Sequence, residues 1–388
     1  MRPVPRSDSG FAVRLAALYA TLFVVLGIQL PFFPIWLKAK GLDPQMIGLV
    51  LAAPLAARIV AVPLATRAAD RRDALRAVIV VMAAASVAGY LLVALAQGPL
   101  AVLVAYAVAS FAFTPVMPLA DTYALKGLAA RGRAYGPVRL WGSAAFILGS
   151  FAAGFVTDAI PAQHLIWLIL AASAVAALAA TALAPVHVKA VADDRSHRRT
   201  LLRDPAFLAV LAAASLIQAS HAVYYGFSAL QWRGEGLDGA AIAALWALGV
   251  IAEIVLFALQ GRLPPWFAPH VLLMIGALGA TLRWSAMALN PPVLVLPLLQ
   301  LLHAASFGAT HLGMLGYVAA KAPPGQAATA QGYLAIALGT IMAGATALSG
   351  VLYGAFGSLA YAAMASAAIA GGAAAGIAVR ASRNVAAV

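Results

Sequence analysis

No cysteine occurs among the 388 residues, which excludes disulfides, thiolate metal sites and cysteine nucleophiles. Charge is almost as scarce: Asp, Glu, Lys and Arg make up 10% of the chain, and 12 acids face 25 Lys and Arg. So few polar side chains cannot cover a soluble surface of this size. The phosphate-cradling GxxxxGK[ST], dinucleotide-binding GxGxxG, nucleophile-elbow GxSxG and zinc-binding HExxH patterns are also missing. Their absence leaves no sign of ATP-driven work, serine hydrolysis or a zinc site. No enzyme activity, cofactor or metal is expected.

What the chain has instead is apolar length. Hydrophobic residues make up 64% of it, at a mean hydropathy of +0.95, and about 20 apolar residues suffice to cross a bilayer. Segments bounded by charge, Pro or Gly run over about 11–37, 45–66, 74–96, 100–125, 138–158, 163–184, 206–231, 239–261, 270–289, 292–319, 326–353 and 358–379. The expected fold is therefore an all-α membrane protein of twelve transmembrane helices. The basic stretch before Phe11 resembles a signal-peptide start. The segment after it is too long and ends in PFFPIWL (Pro31 to Leu37) without a small-residue cleavage site, so it reads as a retained first helix.

A net charge of +13 raises the question of nucleic acid. Position decides it: the basic residues gather on alternate loops, and only Lys38, Lys40 and Arg233 fall on the opposite ones. That is a topology signal, which puts both termini in the cytoplasm and makes the bilayer, not nucleic acid, the partner. The one long polar interval contains Asp193, Asp194, Arg195, His197, Arg198 and Arg199. It divides the chain into a six-helix bundle over 1–184, a cytoplasmic linker over 185–205 and a second six-helix bundle over 206–388. Six plus six helices with a cytoplasmic connector resemble the plan of secondary transporters whose two bundles face a central cavity.

Charges inside apolar helices are costly and by default mark pathways. Arg58, Asp121, Glu253 and Arg283 lie within segments, and Arg139 sits near the start of the fifth. Arg139 reads either as a helix-end anchor reaching for the interface or as the partner of Asp121 across the basic turn. Structural ion pairing is the competing reading for the others. Helical spacing adds polar stripes: Arg139, Gly142, Ser143 and Phe146; Gln218, His221, Tyr225 and Ser228; and His303, Ser306, Phe307, Thr310 and His311. Three positive and two negative intramembrane charges leave room for an anion. Arg139 and Arg283 are candidates to attract a carboxylate, and Trp141, Phe146, Tyr224 and Tyr225 to hold an aromatic ring. Glu253, Asp121 and His303 are the candidate proton carriers. Arg58, Gln218, His221, Ser306 and His311 are further cavity candidates.

Several stretches carry a family resemblance. PFFPIWL, the Asp121 to Arg139 interval with YGPVRLWGS (Tyr135 to Ser143), Glu253 in LWALGVIAEI, Arg283, and His303 in LQLLH resemble the major facilitator superfamily branch that contains lactose permease. HAVYYGFSALQW (His221 to Trp232) is closer to the phenylpropionate permease relatives within it. The resemblance makes Asp121 and Arg139 the substrate grip, Glu253 the acid that links binding to proton movement, and Arg283 with His303 part of a charge network. It departs where Ser306 replaces the protonating glutamate and Gln300 a lysine. The loop from Thr66 to Arg76 keeps Asp70 and Arg71 of the superfamily's gating signature but has Thr66 and Asp73 where glycines are usual.

The resulting expectation is a proton-coupled symporter of the inner membrane, acting as a monomer by alternating access and importing a small organic substrate, best an aromatic carboxylate such as 3-phenylpropionate. A sugar or nucleoside symporter, an exporter of amphipathic compounds, and a receptor or enzyme on the same scaffold are the alternatives.

Overall fold

The computed structural model describes residues 9–186, 201–264, 266–322 and 326–386. Most of the expected linker, including Asp193 through Arg199, lies outside them. Every element among the described residues is helical. The first half contains α1 (Ser9–Ala39), α2 (Pro44–Arg71), α3 (Leu75–Leu95), α4 (Pro99–Phe113), α5 (Val116–Ala129), α6 (Tyr135–Ala159) and α7 (Leu165–Thr181). The second contains α8 (Pro205–Ala219), α9 (Ala222–Gly234), α10 (Gly239–Leu259), α11 (Pro269–Ala288), α12 (Leu296–Leu301), a π-helical segment (Ala304–Ala309), α13 (Thr310–Lys321), α14 (Ala327–Phe356) and α15 (Ala360–Ala386). Among the described residues, eleven stretches are long and apolar enough to cross a membrane. The last, Thr329–Ala381, is 53 residues long and is interrupted at Gly357, whose φ of +56° suits glycine.

Helix starts follow local chemistry. Asp43 and Asp204 each precede a proline and accept a backbone N–H of the first turn, from Met46 at 2.8 Å and Ala206 at 2.8 Å. Two expected helices are broken in the middle, for different reasons. The fourth stops at Phe113 and resumes at Val116 because Pro115 has no N–H to return to Phe111. The seventh breaks between Ala219 and Ala222 without a proline. There the Ser220 hydroxyl donates to the Ile217 carbonyl at 2.6 Å and His221 Nδ1 lies 3.2 Å from the same oxygen, so side chains occupy the acceptor that the His221 amide would use.

The described residues form two compact units. One comprises the described parts of 1–46 and 56–191 together with Trp232–Ala243. Its core gathers Leu15, Leu18, Tyr19 and Leu22 of α1 with Leu119, Tyr123 and Ala124 of α5. α1 and α6 approach until a Cβ on Gly27 would lie 2.2 Å from the Phe146 carbonyl oxygen, and the Ser150 hydroxyl donates to the Gly27 carbonyl at 2.9 Å. Small residues permit this contact, the usual means of joining helices in lipid. Within this unit Asp158, at the end of α6, accepts the Gly239 amide that opens α10 (2.8 Å) and pairs with Arg233.

The other unit comprises Ile47–Leu55, the described parts of 192–231, and Ala244 onward. Phe207, Val210 and Ala214 of α8 pack there with Leu273, Met314, Tyr317 and Ala375. Gly276 and Gly279 of α11 receive the Thr310 and Ala305 side chains, so the pair serves packing. Gly48 lies against the backbone of Gly350, where an added Cβ would meet Gly350 Cα at 2.8 Å.

Candidate functional site

The first unit holds Asp121 and Arg139 in one cluster without pairing them. α1 supplies Tyr19 and Phe23, one turn apart; α5 supplies Asp121; α6 supplies Tyr135 and Arg139, again one turn apart. The Tyr19 hydroxyl donates to Asp121 Oδ1 at 2.6 Å and the Tyr135 hydroxyl to the same oxygen at 2.8 Å. The Arg139 guanidinium carbon lies 4.1 Å from the Phe23 ring centre and 5.5 Å from that of Tyr19. Among the described residues it has no hydrogen-bond or ion-pair partner. The expected Asp121–Arg139 pair is thus replaced by an acid tied to two phenols and a cation resting on aromatic faces, which attract it electrostatically.

Phe146, two turns beyond Arg139, is buried at 8% exposure, with Gly142 between them on the same inward side. Trp141 stands on the other side. It is 62% exposed and forms an outward apolar row with Leu148 and Phe155, so the structure separates it from Arg139. Arg58, midway along α2, is exposed, as are Asp70 and Arg71 at its end. None of the three joins the Asp121 cluster.

The second unit builds a different arrangement around Arg283. Its guanidinium donates through Nη2 to Gln300 Oε1 at 2.7 Å and through Nη1 to His303 Nδ1 at 3.0 Å, with Ser306 Oγ at 3.5 Å. The Tyr224 ring centre lies 4.4 Å from the guanidinium carbon and that of Trp284 4.6 Å. Gln300 Oε1 also accepts the Tyr224 hydroxyl at 3.0 Å. Arg283 is completely buried.

Donor and acceptor roles fix both imidazoles. Arginine only donates, so His303 Nδ1 accepts and the ring is neutral with its proton on Nε2. Nε2 lies 3.6 Å from Glu253 Oε2. The order is guanidinium, imidazole, carboxylate. His221 takes the opposite tautomer: Nδ1 lies against the Ile217 and Gln218 carbonyls, so Nε2 accepts the Ser306 hydroxyl at 3.1 Å.

Helix geometry places these groups. The π segment inserts extra backbone between α12 and α13, a feature frequent at functional sites. His303, Phe307 and His311 stack along it, with ring centres 5.1 and 6.0 Å apart. His311 also meets Phe257, one turn after Glu253 on α10. Tyr225 stacks on His221 at 5.6 Å, and Gln218 Nε2 donates to the Phe307 carbonyl at 3.4 Å. Gln218, His221, Tyr225, Ser306 and His311 therefore belong to the neighbourhood of Arg283, His303 and Glu253.

Sequence reasoning missed Tyr19, Phe23 and Trp284 as site residues, and quoted Tyr135 and Gln300 without giving them a role. Tyr135 had a usable signal, since it precedes Arg139 by one helical turn. Tyr19 and Phe23 had little, because aromatic residues in an apolar helix ordinarily serve the core.

Comparison with known proteins agrees with this architecture. Residues 12–363 match the model of the MFS_1 like family. The chain is 33% identical over 347 residues to the probable 3-phenylpropionic acid transporter of Escherichia coli (strain K12), covering 87% of this chain and 90% of that protein. It is 28% identical over 311 residues to the maltose permease of Geobacillus stearothermophilus, covering 79% and 78%. Among solved structures, the nucleoside transporter NupG superposes with a TM-score of 0.81 at 17% identity, over 96% of this chain and 98% of that one. A bacterial homologue of the human lysosomal transporter Spinster gives 0.73 at 16%, over 97% of each. The chain belongs to the MFS_1 like family of the major facilitator superfamily, and is a multi-pass membrane transport protein rather than an enzyme.

Proposed function

We propose that this protein is a proton-coupled symporter that imports a small aromatic carboxylate, 3-phenylpropionate or a close analogue, by alternating access. The observation that carries the reading is Arg139: a half-buried guanidinium braced on Phe23 and Tyr19, with its N–H donors unspent. A guanidinium recognises a carboxylate through two parallel N–H···O bonds, and the apolar rings around it suit an aromatic body. The name of the Escherichia coli relative points the same way. Resemblance to a maltose permease raises a sugar instead, yet a sugar site needs acceptors as well as donors, and Asp121 Oδ1 already accepts two phenol hydroxyls.

Arg283 is a poor second carboxylate site, because it is completely buried and both its Nη groups already meet His303 and Gln300. We assign it with His303 to proton coupling. Glu253 is the proton carrier, and neutral His303 stands between it and the Arg283 guanidinium. A bare carboxylate in an apolar helix resists reorientation, so proton binding at Glu253 licenses the return. Asp121, the other acid considered for this task, shapes binding.

We further propose twelve crossings, with the stretch Thr329–Ala381 making two of them about Gly357, both termini cytoplasmic, and a monomer in the inner membrane.

The test is uptake of labelled 3-phenylpropionate with simultaneous proton flux in proteoliposomes. Arg139→Gln is expected to weaken binding roughly 10- to 100-fold, the worth of a charged hydrogen-bond pair. Glu253→Gln is expected to keep exchange of bound substrate while abolishing proton flux. Proton-coupled uptake that persists in both variants would defeat the proposal.

A further inference from the structure

We infer that Tyr19 and Tyr135 set the charge selectivity of the site in the first unit, by holding Asp121 so that the Arg139 guanidinium stays open to an anion. The inference rests on the reading that Arg139 takes the substrate's carboxylate. It goes further by naming the residues that keep it available.

An aspartate and an arginine delivered to one cluster by adjoining helices would ordinarily fork together, two N–H donors on two carboxylate oxygens. Such a pair offers acceptors and donors side by side and carries no net charge. Here both phenol hydroxyls are spent on a single Asp121 oxygen, at 2.6 and 2.8 Å, both good hydrogen-bond lengths for O–H donors. The same tyrosines come from two different helices, α1 and α6, so the acid on α5 is held from both sides. Tyr135 and Arg139 lie one turn apart on α6, which lets Tyr135 intercept the acid before it reaches the guanidinium.

Arg139 is stabilised by another route. Phe23 and the Tyr19 ring attract the cation through their faces and use none of its five N–H donors. The site therefore presents donors and positive charge, with one oxygen of its own carboxylate doubly occupied and the acid held away from the guanidinium. Tyr19 does both jobs at once: its hydroxyl holds the acid and its ring supports the base.

The experiment separates hydroxyl from ring. Tyr19→Phe combined with Tyr135→Phe keeps both rings and removes both O–H groups. Asp121 is then expected to turn to Arg139, and affinity for 3-phenylpropionate to fall by about tenfold or more, the loss expected when an internal ion replaces the ligand's charge. Adding Asp121→Asn, which leaves no charge to compete, should restore it. A second measurement needs no ligand: phenylglyoxal modification of Arg139, followed by peptide mass spectrometry, should slow in the double-phenylalanine variant and recover with Asp121→Asn. Melting curves check that each variant folds, and if the double variant does not, the two single variants should show the same effects at smaller size.

Labelling at Arg139 that is unchanged by loss of the hydroxyls overturns the clamp. Labelling that follows the hydroxyls, with 3-phenylpropionate binding unaffected by Arg139→Gln, leaves the clamp standing and defeats the carboxylate reading instead.

Discussion

Each half of this transporter places one arginine, one acid and several aromatic rings among apolar helices, and the two halves connect them in opposite ways. In the first, Asp121 is bound by Tyr19 and Tyr135 while Arg139 rests on rings with its donors available. In the second, Arg283 is fully buried, its donors meet Gln300 and His303, and the imidazole leads on to Glu253. An open cation suits a ligand that comes and goes. A sealed cation, with an oriented imidazole between it and a nearby acid, suits an internal charge balance that a proton can disturb.

The sharpest way to break this contrast is to remove each arginine and measure stability and binding separately. Arg283→Gln leaves Gln300 and His303 without their donor in a dry site and is expected to cost roughly 2–4 kcal/mol, read as a lowered melting temperature in detergent. Arg139→Gln removes a half-buried group held only by rings, so stability should change by less than about 1 kcal/mol while carboxylate affinity falls. Equal melting losses for the two would erase the distinction between a structural and a ligand-facing arginine.

A finer cut falls on His303. Asparagine places an acceptor near the Nδ1 position but does not reach as far as Nε2, so His303→Asn should keep the Arg283 contact and lose the link to Glu253. The expected outcome is a protein that melts near wild type and exchanges substrate, yet no longer accumulates it against a gradient. Glutamine, whose end group lies nearer the Nε2 position, should do the reverse and destabilise. If His303→Asn still accumulates substrate, the imidazole is not the connection between the two charges.

How far these halves were legible in the sequence follows the same division. Apolar length disclosed the helices, because hydrophobicity is a property of each residue on its own. The charges were visible too, since a lone Arg283 or Glu253 in an apolar run stands out. Their partners were not legible in the local pattern: the Arg283–His303 contact came only through the family resemblance, and the hold of Tyr19 and Tyr135 on Asp121 from neither. Whether Asp121 faces Arg139 or Tyr19 depends on how α1 and α6 rotate about contacts such as Gly27 with the Phe146 carbonyl, which no local pattern encodes. Trp141 shows the same limit: two residues from Arg139 in sequence, it turns outward beside Leu148. The break at His221 escaped notice because side chains competing for the Ile217 carbonyl accompany it, a contact that helical periodicity does not register.

A smaller contrast concerns the short segments that each unit draws from the other half of the chain. Trp232–Ala243 is held in the first unit by Asp158, which caps α10 and pairs with partly exposed Arg233. Ile47–Leu55 sits in the second by close contact, Gly48 on Gly350. Gly48→Ala forces a methyl group onto backbone and should cost about 1–3 kcal/mol. Asp158→Ala removes a solvent-touched cap and ion pair, worth about 1 kcal/mol or less, and its effect should shrink further in high salt. Thermal melts at two ionic strengths would tell the two modes of attachment apart.

The smallest effect is expected at Trp141, and it tests the facing of α6 on which the open-cation picture depends. Trp141, Leu148 and Phe155 are spaced by seven residues and all exposed, at 62%, 69% and 61%, whereas Gly142, Phe146 and Gly149 point inward. A helix can show only one of these rows to Tyr19 and Phe23. Trp141→Leu should therefore leave affinity for 3-phenylpropionate within about twofold and stability within about 0.5 kcal/mol, as for surface changes away from special features. Phe146→Leu, on the inward row, should weaken binding several-fold more than that. A large loss at Trp141 with none at Phe146 would mean that α6 is rotated by roughly half a turn, and Arg139 would then no longer lie on the rings of α1.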